Sequence, residues 1–244
     1  MKNLVATVSG FFTFTLVMLL LFPLFALLSL KESWQLTGLR LYRFWGRISL
    51  NMAALPTRVI WKGTPLPSGQ QCVIAANHGS YLDIPVIGSG PILTTFLGKH
   101  ELTKIPVFGF IYRKFSIVVK RGNRSSAKQA IELCKKALDN GLNVAIFPEG
   151  TITKTPPHMG NFKDGAFIIA VDKQVPIVPV SMPYSWKILP RDDRRPQVHV
   201  HPSIMIIHEA IPTIGLSHDD IPRLKEQVKT IIEQEIKAYN KDEY

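Results

Sequence analysis

Acidic side chains are scarce in this sequence, and between residues 3 and 30 charge is missing altogether. Lysines and arginines number 29 against 18 aspartates and glutamates, a formal net charge of +11. That balance disfavours cationic partners and suits anionic ones: lipid headgroups, phosphorylated small molecules or nucleic acid. Only two cysteines are present, Cys72 in an apolar run and Cys134 at helical spacing. Neither has a neighbour at metal-ligand spacing, and two cannot build a disulfide scaffold, so both read as reduced core residues of a cytoplasmic domain. Internal repeats and low-complexity tracts are absent, as is a Gly-x-Ser-x-Gly nucleophile elbow.

The uncharged stretch is itself a feature. Phe11, Phe12, Phe14, Leu16, Leu19, Leu20, Leu21, Phe22, Leu24 and Phe25 make it densely apolar. As a helix rising about 1.5 Å per residue it is long enough to cross a bilayer core. Pro23 is expected to kink it or turn it back as a re-entrant helix. A cleaved signal peptide fits poorly, because Phe25-Ala26-Leu27-Leu28-Ser29 is no small-x-small site. In residues 34–55, Arg40, Arg43 and Arg47 share one helical face and Leu41, Trp45, Ile48 and Met52 another. That pattern suits a helix lying among headgroups; a helix packed on the domain is the alternative. Lys31, Arg58 and Lys62 add positive charge on the same side, which predicts a cytoplasmic catalytic face. Residues 1–57 thus read as an apolar anchor plus an amphipathic basic helix, and residues 58–244 as the catalytic domain.

From residue 59 to residue 180 short apolar runs alternate with helical patterns. Strands are expected at 59–62, 71–76, 93–97, 116–119, 143–147 and 175–180, and a helix at 125–139 closed by Gly141. Another helix opens near Gly165. Such alternation indicates an α/β fold with a mixed, mainly parallel sheet flanked by helices. Residues 105–115, interrupted by Pro106 and Gly109, read as a groove or membrane-facing loop. Prolines 176 and 179 suggest a strand start or a sheet edge. Further on, strands are expected at 197–201 and 204–207 and a helix at 219–239. His199 and His201 would share one face of the first of these, without a third metal ligand.

Four polar clusters follow four of these strands: His78 with Asp83, Lys99, Lys120 with Arg121, and Glu149 with Gly150 and Thr151. If the strands are parallel neighbours, their carboxyl ends converge on one crevice. A carboxylate that holds one imidazole nitrogen leaves the other free to take a proton, so His78 and Asp83 form a candidate general base. The cations suit a phosphate.

Asn77-His78-Gly79-Ser80-Tyr81-Leu82-Asp83 resembles the Asn-His-x4-Asp block of the glycerolipid acyltransferase family, whose best known members are the 1-acylglycerol-3-phosphate (lysophosphatidic acid) acyltransferases. Gly98-Lys99-His100-Glu101-Leu102 with Ile105-Pro106-Val107-Phe108-Gly109, then Arg121, Phe147-Pro148-Glu149-Gly150-Thr151, Phe162-Lys163-Asp164-Gly165-Ala166 and residues 175–180 are similar to its later blocks. The resemblance covers residues 72–180. It implies transfer of a fatty acyl group from acyl-CoA or acyl-carrier protein to the free hydroxyl of 1-acyl-sn-glycerol-3-phosphate, making phosphatidic acid, with no cofactor beyond the thioester donor. It also implies that His78 removes the hydroxyl proton, that Asp83 orients the imidazole, and that Arg121, Glu149 and Gly150 hold the glycerol phosphate with Lys99 nearby; by position Lys120 and Thr151 join these as candidate substrate-binding residues. A hydroxyl or a neighbouring arginine is the expected partner of Glu149.

Two departures stand out. The third block usually continues Thr-Arg-Ser, and here Ile152 follows Thr151; the residue before the block-two arginine is commonly aspartate, and here it is Lys120. Lys120 or Lys154 is expected to restore the lost positive charge; otherwise the acceptor is a lyso-aminolipid or a lysophospholipid with a larger head group. Among rival readings, a hydrolase would make Ser80 the nucleophile, but a serine two residues from the histidine is poorly placed for activation. A non-enzymatic membrane-binding module leaves His78, Asp83 and Glu149 without a task. A nucleic-acid partner is not expected, because the charge comes with no recognised motif.

Overall fold

The computed structural model describes residues 2–119, 124–191 and 196–244. Among them are seven strands: β1 (Thr57–Trp61), β2 (Val73–Ala76), β3 (Thr94–Lys99), β4 (Ile117–Val119), β5 (Asn143–Ile146), β6 (Ile177–Ser181) and β7 (Ser203–Ile207). They form one sheet in the order β1-β7-β6-β2-β5-β3-β4. From β6 to β4 every pairing is parallel. β7 runs antiparallel to β6, and β1 pairs parallel with β7. Strands inside a sheet covered on both faces must be apolar throughout, and every residue of β2 and β6 is buried.

Among the described residues eight α-helices flank the sheet: α1 (Lys2–Leu28), α2 (Gln35–Met52), α3 (Asp83–Gly88), α4 (Phe108–Phe115), α5 (Arg124–Asp139), α6 (Gly165–Lys173), α7 (Ser185–Ile188) and α8 (Ile221–Tyr239). α5, α6 and α8 pack on β5, β2 and β6, while α1 to α4 form a second group. One continuous core joins the two groups through the sheet, from Phe25 and Trp45 to Val144, Phe167 and Val228. Both cysteines are buried free thiols, and burial pushes each up to about 12.

α1 continues through Pro23 instead of turning back. Aromatic contacts on either side of the proline hold it: Phe22 meets Phe110 at 5.5 Å, and Phe25 meets Phe115 at 5.6 Å. By length and composition the span Asn3–Leu28 is able to cross a membrane. One side is docked on the domain, with Phe25 fully buried, while Leu4, Phe12, Leu20 and Leu27 lie exposed. This bare apolar face marks the chain as membrane-associated.

α2 packs its apolar stripe on the domain, the alternative to lying among headgroups by that face. Leu39, Tyr42, Trp45 and Leu50 are buried, and Trp45 donates its indole N–H to the Phe14 carbonyl at 3.2 Å. Met52, expected on the apolar face, is exposed, and Arg47 reaches inward to the Ser89 carbonyl at 2.7 Å. Headgroup-facing and core-facing helices share the same apolar stripe, so periodicity alone does not separate them.

Three further expectations change. Residues 108–115 form a helix, because Ile111, Tyr112 and Phe115 fall at helical spacing on a buried face. The strand bearing Pro179 is central, not an edge. Its pairing with β7 begins only at Val180, and the Pro179 carbonyl accepts from His208 just beyond β7, so the missing N–H falls where the ladder has ended. Residues 197–201 form no strand; the Val198 N–H donates to the Thr7 hydroxyl and the His199 N–H to the Ile188 carbonyl. His199 and His201 part accordingly, His199 to Asn3 and His201 onto the Tyr184 ring, and no group of three metal-binding side chains occurs among the described residues.

Candidate active site

Parallel pairing of β2 with β5 sets the turn after β2 beside the turn after β5, at one sheet edge. Asn77 directly follows β2, and its side chain acts as a piece of backbone. Its side chain accepts from the Met182 N–H at 2.7 Å and donates to the Met182 carbonyl at 3.1 Å, tying the end of β2 to the end of β6. The next residue, His78, therefore leaves the sheet in a fixed direction.

The His78 ring is 12% exposed, and its Nδ1 lies 2.9 Å from Asp83 Oδ2. The same oxygen accepts the Gly79 and Ser80 N–H groups, each at 2.9 Å. A carboxylate that gathers three bonds on one oxygen accepts from all of them, so Nδ1 carries the ring proton and Nε2 the lone pair. Nε2 has no hydrogen-bond partner among the described residues. Phe147 stacks on the ring, centroids 3.9 Å apart and planes 12° from parallel, which limits its rotation. Asp83 is fully buried, at the first position of α3, where the helix dipole favours a negative charge. Because Asp83 uses the N–H groups of residues 79 and 80, an oxyanion must find its donors elsewhere.

Glu149 braces this turn from β5. Its Oε1 accepts the His78 N–H at 2.7 Å, and its Oε2 accepts the Gly160 N–H at 2.7 Å. Two backbone donors thus take the place of the expected hydroxyl or arginine. Burial pushes the carboxyl above its ordinary range, opposed by those two hydrogen bonds and by His78. A third brace runs from the Thr153 N–H to the His78 carbonyl at 2.9 Å. Gly150 turns the chain with φ +76°, and a Cβ there would stand 2.8 Å from Lys163 Nζ. Lys163, in sequence only one residue of a motif, thereby enters the site.

The remaining candidates are more scattered. Lys99 ends β3, two strands from β2, and faces Glu101 at 4.0 Å with half of its side chain in solvent. Thr151 is exposed, whereas Ile152 is buried. Lys120 and Arg121 lie outside the described residues. Ser80 is fully buried, donating to the Leu189 carbonyl at 2.7 Å and accepting from the Leu82 N–H. A sealed hydroxyl spoken for on both sides is no nucleophile.

Two spaces flank the histidine turn. An apolar cavity of about 400 Å³ runs between α1, α2 and residues 81–85, with Phe14, Trp45, Leu82 and Phe108 in its walls. On the other side a narrow slot lined by His78, Glu149 and Trp186 opens towards a wider cleft of about 900 Å³ lined by Lys154, Lys187 and Arg191. Sequence reasoning alone misses Trp186, Lys187 and Arg191. They lie in no recognised motif, and only the placement of β6 beside β2 reveals that the segment after β6 borders His78.

A family model described as Acyltransferase matches residues 58–183, just over half of the chain. The chain belongs to the acyltransferase family. Among relatives of this family member, a chloroplastic 1-acyl-sn-glycerol-3-phosphate acyltransferase of Brassica napus, BAT2, is 36% identical over 127 residues, 51% of this chain and 37% of that one. The beta form of 1-acyl-sn-glycerol-3-phosphate acyltransferase from Homo sapiens is 32% identical over 162 residues, 65% of this chain and 57% of its own. The chain therefore spans less than two thirds of the length of these curated relatives. The crystal structure of the 1-acyl-sn-glycerophosphate (LPA) acyltransferase PlsC from Thermotoga maritima superposes with a TM-score of 0.79 at 25% identity, covering 98% of this chain and 96% of that one.

Proposed function

We propose that this acyltransferase moves a fatty acyl group from a thioester donor, acyl-CoA or acyl-carrier protein, to the free hydroxyl of 1-acyl-sn-glycerol-3-phosphate, giving phosphatidic acid. The observation that carries the reading is the His78–Asp83 pair at 2.9 Å, with Nε2 unpartnered among the described residues and an apolar cavity beginning two residues beyond Gly79. In this mechanism Nε2 takes the hydroxyl proton as the oxygen attacks the thioester carbonyl. The tetrahedral intermediate expels the thiolate, which recovers the proton from the imidazolium, leaving ester and thiol. Asp83 keeps Nδ1 protonated and stabilises the transient positive ring. No metal or redox group is called on. The apolar cavity suits an acyl chain, since a largely hydrophobic lining fits that ligand.

α1 would hold the enzyme on a bilayer through its exposed face, with the positive charge of Lys31, Arg40, Arg58 and Lys62 placing the domain on the cytoplasmic side. Buried Ile152, in place of a cation, favours a second acceptor class: a lyso-aminolipid or a lysophospholipid with a larger head group. The deciding experiment is transfer of labelled acyl groups from both donors to a panel of lyso-lipids by detergent-purified protein. Preference for 1-acyl-sn-glycerol-3-phosphate supports the first reading, and preference for another acceptor the second.

A further inference from the structure

The cleft beside the histidine slot has a chemistry that the base and the apolar cavity do not explain. It shares Thr153, Pro156 and Trp186 with the slot that holds His78, so whatever occupies it lies next to the reacting centre. Three cationic side chains line it, Lys154, Lys187 and Arg191, together with His199 and, as the one carboxylate among the described residues, Glu243. Lys187 is held in place: its Nζ lies 2.7 Å from Glu243 and 5.1 Å from the centre of the Trp186 ring. Arg191 donates from Nη1 to the Ile152 carbonyl at 3.2 Å, which brings a guanidinium to the residue where the resembling block carries an arginine. Lys154 is exposed and forms no ion pair among the described residues.

We propose that this cleft binds a phosphate ester carried by one of the two substrates; the inference rests on the acyl-transfer reading. A planar guanidinium and a pinned ammonium around one space match the tetrahedral anion, the first by paired hydrogen bonds and the second as a point charge. A cavity of about 900 Å³ admits a headgroup or the phosphates of a nucleotide carrier, and Trp186 lines both it and the slot that holds His78. Phosphate contacts positioned this way orient the hydroxyl or the thioester towards Nε2.

The test is a Lys187→Met/Arg191→Gln variant of the full chain, with separate Michaelis constants determined for the lysophosphatidic acid acceptor and for the acyl-CoA donor. The constant for the substrate whose phosphate sits in the cleft should rise about ten- to hundredfold or more, with a smaller change in kcat, since the charged hydrogen bonds that are lost belong to binding and not to the chemical step. A shift in the acceptor constant assigns the phosphate to the lipid, and a shift in the donor constant assigns it to the carrier. Unchanged constants for both would overturn the proposal. Lys154→Glu, at an exposed position without an ion pair, guards against a folding defect and should move the same constant. Calorimetric titration with glycerol 3-phosphate and with CoA separates this inference from the enzymatic one. Protein that transfers nothing but loses binding of either probe in the double variant keeps the cleft and refutes the transfer reading. Protein that transfers normally and binds both probes unaltered does the reverse.

Discussion

The backbone N–H of His78 donates to the buried carboxyl of Glu149 at 2.7 Å, joining the ends of two adjacent parallel strands through one hydrogen bond. In the proposed mechanism Glu149 is a positioning residue: it holds the chain that carries His78, and its other oxygen holds the Gly160 loop. Replacing it with glutamine turns one acceptor into a donor facing an N–H. Glu149→Gln should therefore lower kcat more than it raises the acceptor KM, and should cost about 1–3 kcal/mol of stability. A rise confined to the acceptor KM would identify Glu149 as a substrate contact instead.

The same carboxyl predicts a pH dependence. Burial raises it above the ordinary 4.5, so between that value and the raised one the folded protein holds a proton that the unfolded chain has released. Its contribution is present below 4.5 and is lost as pH rises through the raised value. The wild-type melting temperature, measured relative to Glu149→Gln, should accordingly fall as pH increases from about 4 upward. A difference that stays flat or grows would show that burial does not dominate.

Gly150 carries φ +76°. Gly150→Ala should cost about 1–2 kcal/mol for the left-handed backbone and push Lys163 aside. Chemical denaturation checks the first and the acceptor KM the second.

Ser80 separates acyl transfer by a base from a serine nucleophile. Ser80→Ala leaves the Leu189 carbonyl without its donor and should lose about 1–3 kcal/mol of stability, while acyl transfer persists. Abolished activity in a folded variant would restore the hydrolase-like reading.

On α1, Leu20 and Phe25 lie five residues apart in opposite surroundings, 70% exposed and fully buried. Leu20→Asp should weaken partition into vesicles with little change in folding, and Phe25→Ala should cost about 3–5 kcal/mol. Flotation and thermal melts distinguish them; reversed effects would mean that α1 is docked by its other face.

Much of this site was legible because a parallel sheet puts strand ends on one edge. His78 and Glu149 could be paired from the runs preceding them, Val73-Ile74-Ala75-Ala76 and Val144-Ala145-Ile146. The residues that escaped did so for physical reasons. Trp45 is apolar whether it faces lipid or core, so its burial depends on α1 arriving from elsewhere in the chain. Ile111 and Phe115 were hidden by Pro106 and Gly109, which break a pattern at the start of a helix without preventing it. Lys187 and Arg191 become neighbours of His78 only through the order of β6 and β2, a non-local fact that no spacing encodes.

The proposed role of His78, oriented by Asp83, as the base of an acyl transfer is read from single-turnover transfer from acyl-CoA and acyl-carrier protein to 1-acyl-sn-glycerol-3-phosphate, comparing wild type with His78→Ala and Asp83→Asn. Both variants should fall by a factor on the order of 10² to 10⁴, the usual worth of a positioned base. Near-normal transfer by folded His78→Ala would contradict it.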